Sequence, residues 1–185
     1  LQSPLREEYL FTAVRIEPED ESMDTPLRVF KPAINPADVG LLARLINSEA
    51  GEFSAAEQLA VAWVIRNRMR RHPTDRVHDV IAPNKFETHM PATGATTDIA
   101  RQVQAADPSA DPTHGATHYY SPVEMPEEGE STAGNDVKGG LETTPGLKRK
   151  NYRPGYAATY EAVGAAGVQE KYLKLYKQPG DGRVT

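Results

Sequence analysis

Apolar and polar positions follow two rhythms along this chain, and the helical one governs its first half. Leu42, Leu45, Ile46 and Glu49 stand at i, i+3, i+4 and i+7, so one helix face carries three apolar residues and a carboxylate. Asn35 as N-cap, Pro36 at the first helical position and Asp38 in the first turn predict where that helix begins. Gly51 predicts where it stops. Ser54 to Glu57 reads as a capping box, and Leu59 to Ile65 is apolar nearly all round, so a central, buried second helix is expected. Val77, Val80 and Ile81 predict one short amphipathic turn ending before Pro83. Thr97 and Asp98 open a further helix to about Ala106, with Ile99 and Val103 facing inward.

The period-two rhythm is brief. Thr117 to Tyr120 reads as a short strand after a turn, with Thr117 and Tyr119 on one face and His118 and Tyr120 on the other. From Tyr156 helical spacing is expected to resume, Val168, Tyr172 and Leu175 lying a turn apart before Pro179. Residues 1–34 are rich in proline and acid, with one alternating stretch, Tyr9 to Ile16, that suits a strand or an embracing arm. They read as an extension that clamps the domain or docks it to a larger assembly. Residues 123–150 have no apolar periodicity and read as a mobile loop or insertion, turning basic at Lys148-Arg149-Lys150. The organisation expected is thus an extension (1–34), a core (35–122), a loop (123–150) and a C-terminal helical segment completing the domain (151–185).

Composition narrows this picture. A chain of 185 residues with 38% hydrophobic residues can bury one modest core. A net charge of −5 argues against a dedicated nucleic-acid binder, and Arg66, Arg68, Arg70, Arg71 and Arg76 read as a solvated helix face. Without cysteine there are no disulfides and no cysteine-ligated metals. No apolar run reaches the length of a membrane span and no signal peptide is visible, while the opening Leu1 leaves room for a leader removed before it.

Glu49 is the candidate for chemistry. A carboxylate on an apolar face at a helix C-terminus feels desolvation and the negative end of the macrodipole, both of which favour the protonated form a general acid needs. The alternative is a glutamate at the helix rim pointing into water. His114 and His118 are four apart, but Gly115 intervenes in a turn and strand and no further ligand has recognisable spacing, so no metal site and no cofactor are expected.

The run LLARLINSEAGEFSAAEQLAVAWVIRNRMR, followed by HDVIAPNKFE and DPTHGATHYYSP, resembles the SleB/CwlJ-type cell wall hydrolases across Leu41 to Pro122. That family has a catalytic glutamate in a segment like E-A-R-G-E, a glutamine opening the next helix, an N-R pair near its end and a later G-A-x-x-Y. Here these positions hold Glu49, Gln58, Asn67-Arg68 and Gly115 to Tyr119. Glu49-Ala50 is followed directly by Gly51-Glu52, and Lys85-Phe86-Glu87 stands where relatives carry Q-F-S or Q-F-T.

The resemblance implies an α+β, predominantly helical, lysozyme-like single domain with a small strand region and long loops. It implies a bacteriolytic, endolysin-like activity on peptidoglycan, with Glu49 as the catalytic acid. The bond cut would join N-acetylmuramic acid to N-acetylglucosamine, by lytic transglycosylation, or by hydrolysis as in a muramidase. Amide cleavage and non-catalytic glycan binding are the rival readings. Phe86, Glu87, Thr117, Tyr119 and Tyr120 would line the substrate groove. Action would lie outside the cytoplasmic membrane, in the periplasm or envelope, or follow delivery to the wall as a phage product, with 35–122 as the catalytic core and the extension docking it to an envelope or phage assembly.

Overall fold

Capping chemistry sets the frame of the domain. The computed structural model describes residues 34–180 except 73, 75 and 85, so the Tyr9 to Ile16 strand or arm and nearly all of the extension lie outside the described residues. Asn35 accepts a hydrogen bond from the Ala37 N–H, and a 3-10 turn at Pro36–Asp38 leads into α1, Val39–Ala50. The terminating Gly51 keeps a helical φ of −59°; a Cβ there would sit 2.4 Å from the Asn47 carbonyl oxygen, so close approach and not left-handed backbone calls for glycine.

Helix α2, Ala55–Arg71, buries residues on every side, as expected from its apolar run. It packs against α1, against α3 (Val77–Asn84), against α4 (Gly94–Ala105) and against β1 (His118–Tyr120). Ser54 caps α2 through the Ala56 N–H, but Glu57 does not close a reciprocal box. Its carboxylate, fully buried, takes the Ser54 hydroxyl and the Gln169 N–H, 2.8 Å away, and so ties α2 to the C-terminal segment. Helix α3 runs through Pro83 instead of ending before it. Helix α4 starts at Gly94, earlier than Thr97, because Thr93 and Thr96 form a capping box in which a threonine hydroxyl serves where glutamate or glutamine is the familiar partner.

The larger departure lies in the C-terminal third. The structure holds strands where a helical segment is expected: β4 (Glu161–Val163) and β5 (Lys174–Lys177) join β1 in an antiparallel sheet of order β1-β5-β4. Val168, Tyr172 and Leu175 do fall at helical spacing, but Leu173 and Leu175 alternate onto the helical core while Tyr176 faces a second cluster with Tyr120 and Ala157. Gly167, at φ +81°, turns the chain between these strands. Residues 123–150 are likewise a run of turns containing β2 (Leu141–Glu142), which pairs with β3 (Asn151–Tyr152), and not a segment without structure. Half-buried Glu142 links that pair to the sheet, accepting from the Tyr120 hydroxyl and from Lys174 Nζ at 2.9 Å. The result is a mixed α+β domain led by its helices; no helix among the described residues is long and apolar enough to cross a membrane.

Asp38 joins the starts of α1 and α3. Its carboxylate accepts from Arg76 Nε (2.9 Å), Arg76 Nη2 (3.0 Å) and the Val77 N–H (2.9 Å). Burial alone would raise its pKa, but these hydrogen bonds and the guanidinium charge outweigh burial and hold it below the ordinary carboxylate value. The sign follows: a depressed folded pKa gives stability that is complete above the unfolded value and is lost as pH falls through the folded one. Asp38→Asn is expected to cost about 2 kcal/mol at pH 7 and to flatten the acid limb of the urea-midpoint profile. An unchanged acid limb would remove Asp38 as its source.

Candidate active site

Glu49 reaches a defined position because three elements converge on the last turn of α1. The loop after α3 is fastened along one stripe of that helix. Arg44 Nη2 donates to the Thr88 carbonyl at 2.6 Å, Asn47 Nδ2 to the Pro91 carbonyl at 2.8 Å, and the Met90 N–H to Ser48 Oγ at 3.0 Å. The fastening delivers the Glu87 N–H to Glu49 Oε1 at 2.8 Å. From the other side the Tyr119 hydroxyl donates to Glu49 Oε2 at 2.7 Å. Both carboxyl oxygens of a half-buried glutamate are thus oriented by fixed donors.

Tyr119 is itself held through α2. Asn67 Nδ2 lies 2.8 Å from Asp111 Oδ2, 3.3 Å from Thr113 Oγ1 and 3.0 Å from the Ala116 carbonyl. Asp111 in turn accepts from the N–H groups of Thr113 and Gly115. This latch holds a turn in which His114 (φ 53°) and Gly115 (φ 84°) are both left-handed, and the next residues enter β1. Arg68 Nε donates to the Thr117 carbonyl, and its guanidinium carbon lies 4.8 Å from the Phe86 ring centroid. Phe86 stacks on Tyr119 with centroids 6.1 Å apart. Burial first, and then the Glu49 charge, push the Tyr119 pKa well up, so the phenol keeps its proton and remains a donor.

The structure therefore sorts the expected groove residues. Glu49, Tyr119 and Phe86 come together, with Phe86 spent on ring packing. Glu87 contributes its backbone, while its exposed side chain lies 3.2 Å from His89. Tyr120 does not face the groove: it is buried and its hydroxyl is committed to Glu142. Thr117 does not join Glu49 either, for its buried hydroxyl accepts from the Gln178 N–H and meets His118 Nδ1 at 3.0 Å. The other acids divide as well: Asp98 pairs with Arg101 on the exposed side of α4, Glu57 is internal, and Glu52 is exposed.

Sequence reasoning missed Glu124. It closes the 3-10 turn Pro122–Glu124 that follows β1, and its carboxyl has no hydrogen bond or ion pair among the described residues. Its pKa is raised, first by surrounding protein and then by the charges of Glu49, Glu87 and Glu52. The side chain is exposed to water. Its only signal in the sequence was an acid just past the strand, in a stretch read as loop.

The histidines and arginines find structural work. His114 is an exposed turn residue, and His118 packs on Tyr156 and Tyr160 with centroids 5.0 and 4.8 Å away. Burial, helped by Arg68 and Arg71, lowers the His118 pKa to about 4, so the imidazole is neutral near pH 7. Arg66 is fully buried over Trp63 and donates to the Ala106 carbonyl at 2.6 Å. The basic cluster seen in the sequence is therefore divided: Arg66 is internal, Arg68 and Arg71 are half-buried, and Arg70 and Arg76 are exposed. A hollow of about 340 Å³ lies along β4 and β5, lined by residues from Ala162 to Tyr176, and no neighbour of Glu49 borders it. The oriented carboxylate of Glu49 lies apart from this hollow.

Residues 52–138, just under half of the chain, match the family model described as Cell Wall Hydrolase. This supports the resemblance to SleB/CwlJ-type hydrolases; the matched stretch takes in α2, Phe86, Tyr119 and Glu124 and begins just after Glu49. The solved catalytic domain of the Bacillus cereus SleB protein is similar at 16% identity with a TM-score of 0.49, covering 80% of this chain and 98% of that one. No curated protein matches.

Proposed function

We propose that this chain degrades peptidoglycan, cutting the glycan strand between N-acetylmuramic acid and N-acetylglucosamine by lytic transglycosylation with Glu49 as the single catalytic acid and base. The observation that carries the reading is the pair of donors on Glu49, the Glu87 N–H and the Tyr119 hydroxyl, which fix both carboxyl oxygens at a half-buried helix end. Protonated Glu49 gives its proton to the glycosidic oxygen, and the C–O bond to the muramyl carbon breaks with oxocarbenium character. The muramyl 6-hydroxyl then closes on that carbon and returns a proton to Glu49, leaving a 1,6-anhydro end. Such a substrate places the action outside the cytoplasmic membrane.

Glu124 supports a second reading. A hydrolytic mechanism needs another carboxyl about 5–9 Å from the acid, and Glu124 shares electrostatic contact with Glu49. The two routes separate by product mass. Purified peptidoglycan treated with the unaltered protein is expected to release muropeptides one water lighter than hydrolysis products, and Glu124→Gln is expected to keep making them. Fully hydrated ends that vanish in Glu124→Gln would instead make Glu124 the hydrolytic partner.

A further inference from the structure

Arg68 stands on α2 where two chains of contact meet, and each leads to one of the donors on Glu49. The first runs through backbone: Arg68 Nε donates to the carbonyl of Thr117, two residues before Tyr119, whose hydroxyl meets Glu49 Oε2 at 2.7 Å. The second runs through the guanidinium, whose carbon lies 4.8 Å from the Phe86 ring centroid. Phe86 stacks on the Tyr119 ring and is followed in the chain by Glu87, whose N–H meets Glu49 Oε1 at 2.8 Å. One side chain therefore bears on both carboxyl oxygens. Its charge calls for an explanation. Arg68 is half-buried, and burial, the largest influence on its pKa, lowers it. The other groups it feels are the phenols of Tyr119, Tyr156 and Tyr160 and the Arg71 guanidinium, none of them a carboxylate. A clamp on one carbonyl needs a single N–H, which a neutral side chain can supply. What a neutral side chain lacks is the flat cationic plate that rests against Phe86.

We propose that Arg68 is a positioning residue for the reaction: its guanidinium, stacked on Phe86, holds that ring, and with it the Tyr119 hydroxyl and the Glu87 N–H, where together they orient the Glu49 carboxyl for proton transfer. This rests on the reading of Glu49 as the acid. Two substitutions separate the plate from the clamp. In Arg68→Gln the amide nitrogen falls at the same place along the side chain as Arg68 Nε, so the hydrogen bond to the Thr117 carbonyl can persist while the plate is gone. Arg68→Lys does the reverse, placing a methylene where Nε stood and returning a positive charge to the Phe86 ring.

The test takes kcat, KM and the melting midpoint of the full chain and of both variants on purified peptidoglycan. Beside them it takes the NMR shift of the Glu87 amide proton, which reads the hydrogen bond to Glu49 without substrate. Arg68→Gln is expected to lower kcat about 10- to 100-fold, the scale of a misplaced catalytic group, with KM and the midpoint little changed, and to move the Glu87 amide proton upfield. Arg68→Lys is expected to recover part of kcat and part of that shift. Arg68→Gln with kcat within a few-fold of the unaltered protein and the Glu87 proton unmoved would overturn the proposal, because the plate would then be idle. Arg68→Lys no better than Arg68→Gln would overturn it too, because the stacked charge would then do nothing. Failure of the enzyme reading shows elsewhere: Glu49→Gln would keep turning over, while the Glu87 proton in Arg68→Gln would still decide whether Arg68 sets the carboxyl's donors.

Discussion

Glu49→Gln is expected to lower turnover of peptidoglycan by roughly 10²- to 10⁴-fold, the range carried by a positioned general acid. Glutamine has the same shape, and its amide oxygen can still accept from the Glu87 N–H that now meets Oε1 at 2.8 Å. The amide nitrogen then faces the Tyr119 oxygen, which can accept once its own proton turns away. Fold and wall binding should therefore survive, and the loss should appear in kcat. Tyr119→Phe serves as the graded control. It keeps the ring stack on Phe86 but frees one carboxyl oxygen, and a misplaced catalytic group costs on the order of 10²-fold or less. Dye release from labelled walls, beside co-sedimentation of the same variants, measures both halves. Turnover by Glu49→Gln within a few-fold of the unaltered protein would sink the assignment.

The place of Glu49 on the last turn of α1 was legible because two local signals agreed on it: an apolar stripe that included Glu49, and a glycine after its helix. The N-terminal caps were legible for the same reason, since Asn35 and Ser54 act on backbone within three residues of themselves. The readings that failed each needed a distant partner. Glu57 looked like a local cap, but one of its oxygens belongs to Gln169, over a hundred positions away. Tyr120 looked equivalent to Tyr119, yet alternation sends it to Glu142 in a strand that no periodicity announced. Leu173 and Leu175 show period two over too few residues to outweigh the helical spacing of Val168, Tyr172 and Leu175. Glu124 feels the Glu49 charge only because β1 is pinned against α2, and that pinning is tertiary.

The pinning itself gives the second large effect. Asn67→Ala is expected to destabilise the domain by about 3 kcal/mol, lowering the thermal midpoint by roughly 6–12 °C for a chain of this size. The Nδ2 group is buried and stands within reach of Asp111, Thr113 and the Ala116 carbonyl, so its removal leaves inward-facing acceptors without a donor. The loss stays moderate because the same change deletes Oδ1, which is buried without a partner. Activity should fall too, well below the melting range, because the left-handed turn at His114-Gly115 sets the entry of β1 and hence the reach of Tyr119 to Glu49. The two readouts separate a latch from a substrate contact. A latch lowers the midpoint and kcat together, and Asn67→Asp, which sets a carboxylate against Asp111, is worse than alanine in both. A residue that touched the glycan would raise KM with the midpoint unmoved, and that result would transfer Asn67 from the scaffold to the groove.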